Sequence, residues 1–237
     1  MPPLEIVERL GSRTALEALR VTLLTSLTAH AIVLAVGTPC AYALARRRFR
    51  GRGLVVTVIE LPLVLPPAVA GIGLLAAFGA RGVLGGALEV AGVRVAFTPA
   101  AVVMAIVFVS SPFYVRAAIA AFEGVGEDVV DAARTLGAGP LRVFWRVALP
   151  LAAGGLGAGS TLAFARGLGE FGATILFAGS LAGVTQTLSL AIYAELDRDL
   201  DTSLAIGALL VLVSIAILAA AKLLGSWTRS TSAFGSR

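Results

Sequence analysis

Charge is scarce in this sequence. Only 14% of its 237 residues are Asp, Glu, Lys or Arg, whereas a soluble domain carries about a quarter. That shortfall excludes a chain wetted on all sides. Cysteine is nearly absent: Cys40 stands alone in an apolar run, which excludes a disulfide framework and a cysteine-based zinc site. His30 is also alone, with no second histidine or carboxylate at ligand spacing, so packing is favoured over metal binding. The single lysine, Lys222, sits in Ala-Ala-Lys-Leu-Leu. A phosphate-binding loop needs Gly-x4-Gly-Lys-Ser/Thr, so the chain has no means of hydrolysing ATP, and Lys222 reads as a residue snorkelling to the headgroups. Gly71-Ile72-Gly73 lacks the third glycine of a dinucleotide fingerprint. Residues 1–11 carry both charge signs without a basic start before an apolar core, so no cleavable leader is expected.

What is present is apolar: 58% of the residues are hydrophobic and the mean hydropathy is +0.94. A helix needs about 20 apolar residues to cross the hydrocarbon core. Five stretches qualify, at 21–45, 54–79, 97–121, 149–178 and 204–224. The fold class expected is therefore an all-α polytopic membrane protein, one transmembrane domain over 1–237. Pro62, Pro66 and Pro67 in the second stretch and Pro112 in the third predict kinks, since neighbouring helices re-satisfy the freed carbonyls. Nineteen basic against fourteen acidic residues give +5, but the basic residues lie between apolar runs and form no nucleic-acid-binding stripe.

Their distribution predicts orientation instead. Arg46, Arg47, Arg48, Arg50 and Arg52 crowd the short loop after the first stretch, which marks that loop as cytoplasmic; anionic lipid is a second possible partner of this run. Alternation then puts Arg134, Arg142 and Arg146 inside together with a tail at 225–237. Loops assigned outside hold fewer arginines, and the one with Glu195, Asp197, Asp199 and Asp201 is net acidic. The expected topology is five spans, N-terminus out and C-terminus in, with residues 1–17 as an interfacial amphipathic segment.

One polar loop, 122–148, is too patterned for a linker. Glu127, Asp128 and Asp131 open it and Arg142 and Arg146 close it, which suits the helix dipole. Gly137-Ala138-Gly139-Pro140 predicts two short helices meeting at a glycine turn. Asp131-Ala132-Ala133 puts small side chains on the first, where another surface can approach closely. The fourth stretch carries Gly155-x3-Gly159, a spacing for close helix contact, then Arg166 and Glu170. Four residues apart, these two are expected on one helical face. Charges at membrane depth face a bundle interior or a water-filled path, and two readings stand: partners exchanged during gating, or a static ion pair fixing the packing. Ser110 and Ser111 before Pro112 likewise either bond to backbone carbonyls at a kink or line the pathway. Arg116 is expected to anchor near the cytoplasmic headgroups.

The loop resembles the signature of bacterial ABC-importer permeases: Glu-Ala-Ala, three residues, Gly, nine residues, Ile-x-Leu-Pro. Here Asp131-Ala132-Ala133 is followed by Gly137 and, nine residues on, by Val147-Ala148-Leu149-Pro150. Asp131 and Val147 are the two departures. Leu61-Pro62-Leu63-Val64-Leu65-Pro66-Pro67, the segment from Ala163 to Ala173, and Thr185-Gln186-Thr187-Leu188-Ser189-Leu190 are similar to molybdate permeases. Sulfate/thiosulfate and tungstate permeases share much of the Gly-Glu-Phe-Gly region.

This resemblance implies a type I ABC-importer permease fold with a cytoplasmic coupling-helix loop. It implies an oxyanion substrate, molybdate first, and a homodimer. It further implies a cytoplasmic ATPase dimer docked on the coupling loop, carrying ATP and Mg, and an extracytoplasmic oxyanion-binding protein; the chain itself would bind no cofactor. Asp131, Ala132, Ala133, Gly137, Val147, Leu149 and Pro150 would be the coupling-loop residues. Two other classes are less compatible. An ion-gradient-driven transporter predicts ionisable residues over several spans, where only Arg166 and Glu170 are expected deep. An intramembrane enzyme predicts a serine–histidine pair, paired aspartates or a zinc motif.

Overall fold

A computed structural model describes residues 9–232, with side chains through 220. Residues 1–8 and 233–237 lie outside the described residues, as do the side chain of Lys222 and those of the tail. Ten helices are named here: α1 (Arg13–Arg46), α2 (Arg52–Val64), α3 (Pro67–Phe78), α4 (Gly85–Val90), α5 (Pro99–Glu123), α6 (Glu127–Thr135), α7 (Pro140–Leu168), α8 (Gly172–Phe177), α9 (Leu188–Leu196) and α10 (Leu200–Ser232). There is no strand among the described residues. Among the described residues α1, α5, α7 and α10 are long and apolar enough to cross a membrane, and α2 with α3 adds a fifth only when the bent pair is counted as one span.

That bend corrects an expectation. Pro62 stays inside α2, but Pro66 and Pro67 do not kink the helix; they end it, and α3 leaves α2 at 117°. Leu65 and Pro66 are both extended, with ψ of 131° and 135°. Two successive prolines remove two amide donors, and a proline disfavours helical backbone in the residue before it. By contrast Pro112 sits inside an unbroken α5.

Three more boundaries differ. The stretch 149–178 is not one span, because α7 stops at Leu168 and α8 follows a break. The loop 122–148 holds one free helix, α6, instead of two. Its second half, from Pro140, is the base of α7 and passes through a π-helical turn at Phe144–Ala148. The interfacial segment at 1–17 is not separate from residue 13 onward, where Ser12 caps α1 by accepting from Ala15 N–H at 3.3 Å. Sequence periodicity also gave no sign of α9, whose first amide, that of Leu188, donates to Thr22 Oγ1 of α1 at 2.8 Å.

The bundle centres on α5, packed between α1 and α7. Its buried stripe runs from Ala101 to Phe122. Small residues let α7 approach: a Cβ added at Gly155 would stand 2.6 Å from Ala121 Cβ, and one at Gly159 2.6 Å from Ala117 Cβ. The Gly-x3-Gly spacing thus serves the α5–α7 contact. Outward faces are apolar and bare, with Leu24, Leu54, Val58, Val64, Leu212 and Ile215 exposed, as expected where lipid or a second subunit replaces water.

The two ends of the bundle can be told apart by contacts. At one end Arg52 Nη2 donates to Glu123 Oε1 at 2.7 Å and Arg46 Nη2 to Val125 O at 2.8 Å. At the other, Phe97 N–H donates to Phe177 O at 3.2 Å and Arg9 is ion-paired to Asp199. Between them α5, 25 residues long, spans about 37 Å at 1.5 Å per residue. The chain between Arg52 and Phe97, which holds α2, α3 and α4, therefore passes from one end to the other.

Candidate functional site

Two regions hold the residues singled out from sequence. The first is α6 with the base of α7, at the end marked by Arg46 and Arg52. α6 begins with Glu127 and Asp128 and ends with Arg134, charges that suit its dipole. Val130 is its one buried side chain, set into the core beside Phe122 and Val143. Behind it Tyr42, Phe122 and Phe144 pack edge to face, with ring centroids 4.9 Å (Tyr42–Phe144) and 5.2 Å (Tyr42–Phe122) apart. This aromatic knot ties the loop to α1 and α5.

The turn after α6 is built on Gly137, which has φ +84°. Its N–H donates to Arg134 O at 2.9 Å, and Ala138 N–H reaches back to Ala133 O at 3.0 Å. These are the two bonds of a Schellman cap with glycine in the left-handed position. No atom stands within 4 Å of where a Gly137 side chain would be, so the space outside the turn is open.

The signature residues divide between two faces. Asp131, Ala132 and Gly137 are exposed, with Asp131 paired to Arg134 at 3.0 Å. Ala133, Val147 and Leu149 are partly buried against the core, and Pro150 stands exposed in the first turn of the helix after the π-helical segment. Sequence reasoning missed three large apolar side chains on this loop: Leu136 is 88% exposed, Leu141 76% and Trp145 62%. Their signal was legible as apolar residues flanking the glycine turn in a segment that is otherwise polar.

The second region is the break between α7 and α8. Arg166 lies in the last turn of α7, but Glu170 is off the helix, which corrects the expectation of one shared helical face. The pair still forms: Arg166 Nη1 donates to Glu170 Oε2 at 2.7 Å, with side-chain exposures of 29% and 1%. The other carboxylate oxygen accepts Ala173 N–H at 2.8 Å. Glu170 thus stabilises the start of α8 while Arg166 complements the end of α7. This break abuts the one at Leu65–Pro66: a Cβ on Gly172 would stand 2.8 Å from Pro67 Cβ, and one on Gly71 2.6 Å from Ala173 O. The two broken spans interlock.

Ser110 is buried and donates to Ile106 O at 2.7 Å; Ser111 is half-buried beside it. His30 Nε2 lies 2.9 Å from Ser160 Oγ and its ring meets Phe164 edge-on. Arg116 corrects one expectation. It pairs with Glu60 of α2 at 3.1 Å, so Arg166 with Glu170 is not the only ion pair within the apolar stretches. Both residues were findable: Glu60 interrupts an apolar run eight residues after Arg52, and Arg116 lies seven before Glu123, the same depth from one end.

Against this geometry stand the known proteins. Residues 34–230 match the family described as the binding-protein-dependent transport system inner membrane component. The molybdenum transport system permease protein ModB of Mycobacterium tuberculosis is 48% identical over 197 residues, 83% of this chain and 75% of its own. The sulfate transport system permease protein CysW of Synechococcus elongatus is 38% identical over 89% of this chain and 73% of its own. Among solved structures, a bacterial ABC transporter involved in the import of alginate superposes with a TM-score of 0.75 at 18% identity, covering 95% of this chain and 84% of that one. At that identity the likeness speaks for the fold, which is that of a type I ABC-importer permease. The chain belongs to the binding-protein-dependent transport system inner membrane components and is a multi-pass permease of the inner membrane.

Proposed function

We propose that this chain is the membrane subunit of an ATP-driven importer of an oxyanion, molybdate foremost, working as a homodimer. The observation that carries the substrate is the likeness to molybdenum permeases over most of the chain. The likeness to a sulfate permease supports sulfate as the second reading.

The arginine-rich end, with Arg46 to Arg52 and Arg134 to Arg146, is read as cytoplasmic, which puts the N-terminus outside and the C-terminus inside. There the exposed face of α6 and its turn, with Asp131, Ala132, Leu136 and Gly137, and Trp145 at the base of α7, are read as the contact for a partner ATPase that holds ATP and Mg. The apolar side chains would supply docking surface and the bare Gly137 a close approach. At the far end an oxyanion-binding protein delivers substrate. ATP binding draws the two loops together and favours the outward-open state; hydrolysis restores the other, a rigid-body exchange biased by differential contacts.

The test is uptake by vesicles containing the chain co-expressed with its genomic neighbours. Molybdate uptake that requires ATP, and is competed better by tungstate than by sulfate, supports the reading. Competition in the reverse order favours sulfate, and purification without an ATPase overturns the importer.

A further inference from the structure

The arginine loop does more than face the membrane surface. Arg46, Arg47, Arg48 and Arg52 line a cleft of about 490 Å³ together with Glu123 and Glu127. Four guanidinium groups against two carboxylates leave two positive charges in excess. Arg52 is spent on Glu123 and on Leu44 O, both at 2.7 Å. Arg46 donates from Nη2 to Val125 O, but its Nε is buried without a hydrogen-bond partner. Among the described residues Arg47 and Arg48 are exposed and make no ion pair or side-chain hydrogen bond.

A second cleft, of about 480 Å³, shares Arg47 and Arg48 and is otherwise lined by Cys40, Ala43, Leu44 and Phe49. Cys40, Ala43 and Leu44 lie within two turns of Arg47 on α1, on the side of the apolar span. The two clefts thus form one surface with a cationic part at the end of the span and an apolar part running toward the membrane interior.

We propose that this surface is a binding site for an anionic phospholipid. Its phosphate accepts from Arg47 and Arg48, and an acyl chain lies along Cys40, Ala43, Leu44 and Phe49. A tetrahedral oxyanion free in solution offers the same acceptor chemistry to the arginines. It leaves the apolar cleft empty, however, and the continuity of that cleft with Arg47 and Arg48 favours the lipid. Glu123 ends α5 and Glu127 opens α6, so the site lies where the membrane bundle meets the loop helix. The proposal needs only the membrane-spanning fold and holds whichever oxyanion is carried.

Native mass spectrometry of the full chain in detergent, titrated with phosphatidylglycerol or phosphatidylcholine, tests it without any transport step. Phosphatidylglycerol is expected to bind more tightly, and the double variant Arg47→Ala, Arg48→Ala to weaken it about 25-fold, roughly fivefold per arginine. Phosphatidylcholine binding should not change. Ala43→Trp fills the apolar cleft and should weaken phosphatidylglycerol while sparing inorganic phosphate. Displacement of phosphatidylglycerol by millimolar phosphate or molybdate, with Ala43→Trp silent, would make the occupant a free oxyanion and overturn the lipid assignment. Equal binding of both lipids, unmoved by the arginine changes, overturns the site itself. Should the alanine variant fail to insert, Arg47→Lys, Arg48→Lys keeps the charge and is expected to retain most of the affinity.

Discussion

The loop helix α6 and the break at 169–171 both interrupt the bundle, and they are built in opposite ways. α6 hangs from one buried valine, and the loop leaves Leu136 after it and Leu141 and Trp145 at the base of α7 bare. The break hides its carboxylate almost completely and satisfies both of its oxygens, one with Arg166 and one with Ala173 N–H. The difference follows from what surrounds each. Inside a membrane no water is at hand, so every polar atom has to find a protein partner. At the surface, uncovered apolar groups are tolerated where another protein covers them. A contact such as α6 offers can form and dissolve in a cycle. Glu170 can change partners only if two hydrogen bonds are replaced together, which favours the static pin over the exchanging gate.

Breaking the pin should produce the largest effect. Arg166→Ala leaves Glu170 buried and unpaired, a loss of about 3–5 kcal/mol, read as a lower unfolding midpoint in detergent. Glu170→Gln removes the charge yet still offers an oxygen to Ala173 N–H, so it should cost much less. Equal losses for the two would mean that the buried charge is not what matters.

Truncating Trp145 to alanine probes the other side of the contrast. Stability should barely move, since the ring is mostly exposed. Association with the copurified ATPase should weaken by about 2 kcal/mol, as an aromatic anchor does. Titration of the ATPase into nanodiscs holding the permease measures it. Unchanged affinity would remove Trp145 from the docking face.

Gly137→Ala comes next. Its φ of +84° is strained for a residue with a Cβ, by roughly 1–2 kcal/mol, and the strain falls on the turn alone. Hydrogen exchange should quicken in α6 and stay unchanged at the break. Gly137→Leu adds bulk in open space, so it should uncouple ATP hydrolysis from uptake while membrane insertion persists. Coupled uptake in the leucine variant would remove the turn from the docking face.

Much of this contrast was readable from residue order. Scarce charge and long apolar runs indicate a membrane bundle; acids before Val129 and a glycine after Leu136 indicate α6 and its cap. Gly155 and Gly159 indicate a close helix contact, though not that α5 would be the partner. What escaped depended on distant neighbours or on breaks within apolar text. Pro66-Pro67 reads equally well as a kink inside a long span, nothing in the order around Gly169 marks a stop, and only packing of α3 against α8 fixes both as breaks. α9 has too short an apolar pattern to register, and it is held by a hydroxyl from a helix 166 residues away in sequence.

The smallest effect belongs to a polar cluster at the same end as the break, but exposed. Asp199 opens α10: its carboxylate accepts from the Thr202 hydroxyl at 2.8 Å and the Thr202 N–H at 3.1 Å, and it pairs with Arg9. The Thr202 hydroxyl first, then the Thr202 N–H and Arg9, pull its pKa down from 3.8 to about 2. A depressed carboxylate contributes stability that is present above its unfolded pKa and is lost as pH falls through the folded one. The cluster should therefore hold unchanged from pH 7 to about 4 and loosen only below. Limited proteolysis at Arg9 in proteoliposomes reads this directly, with an acid-tolerant protease in the lower range. Wild-type cleavage should stay flat down to about pH 4, while Asp199→Ala raises it at every pH. Cleavage that climbs between pH 6 and 5 would show that another group holds this end. The exposed cluster would then resemble neither the pin nor the loop helix.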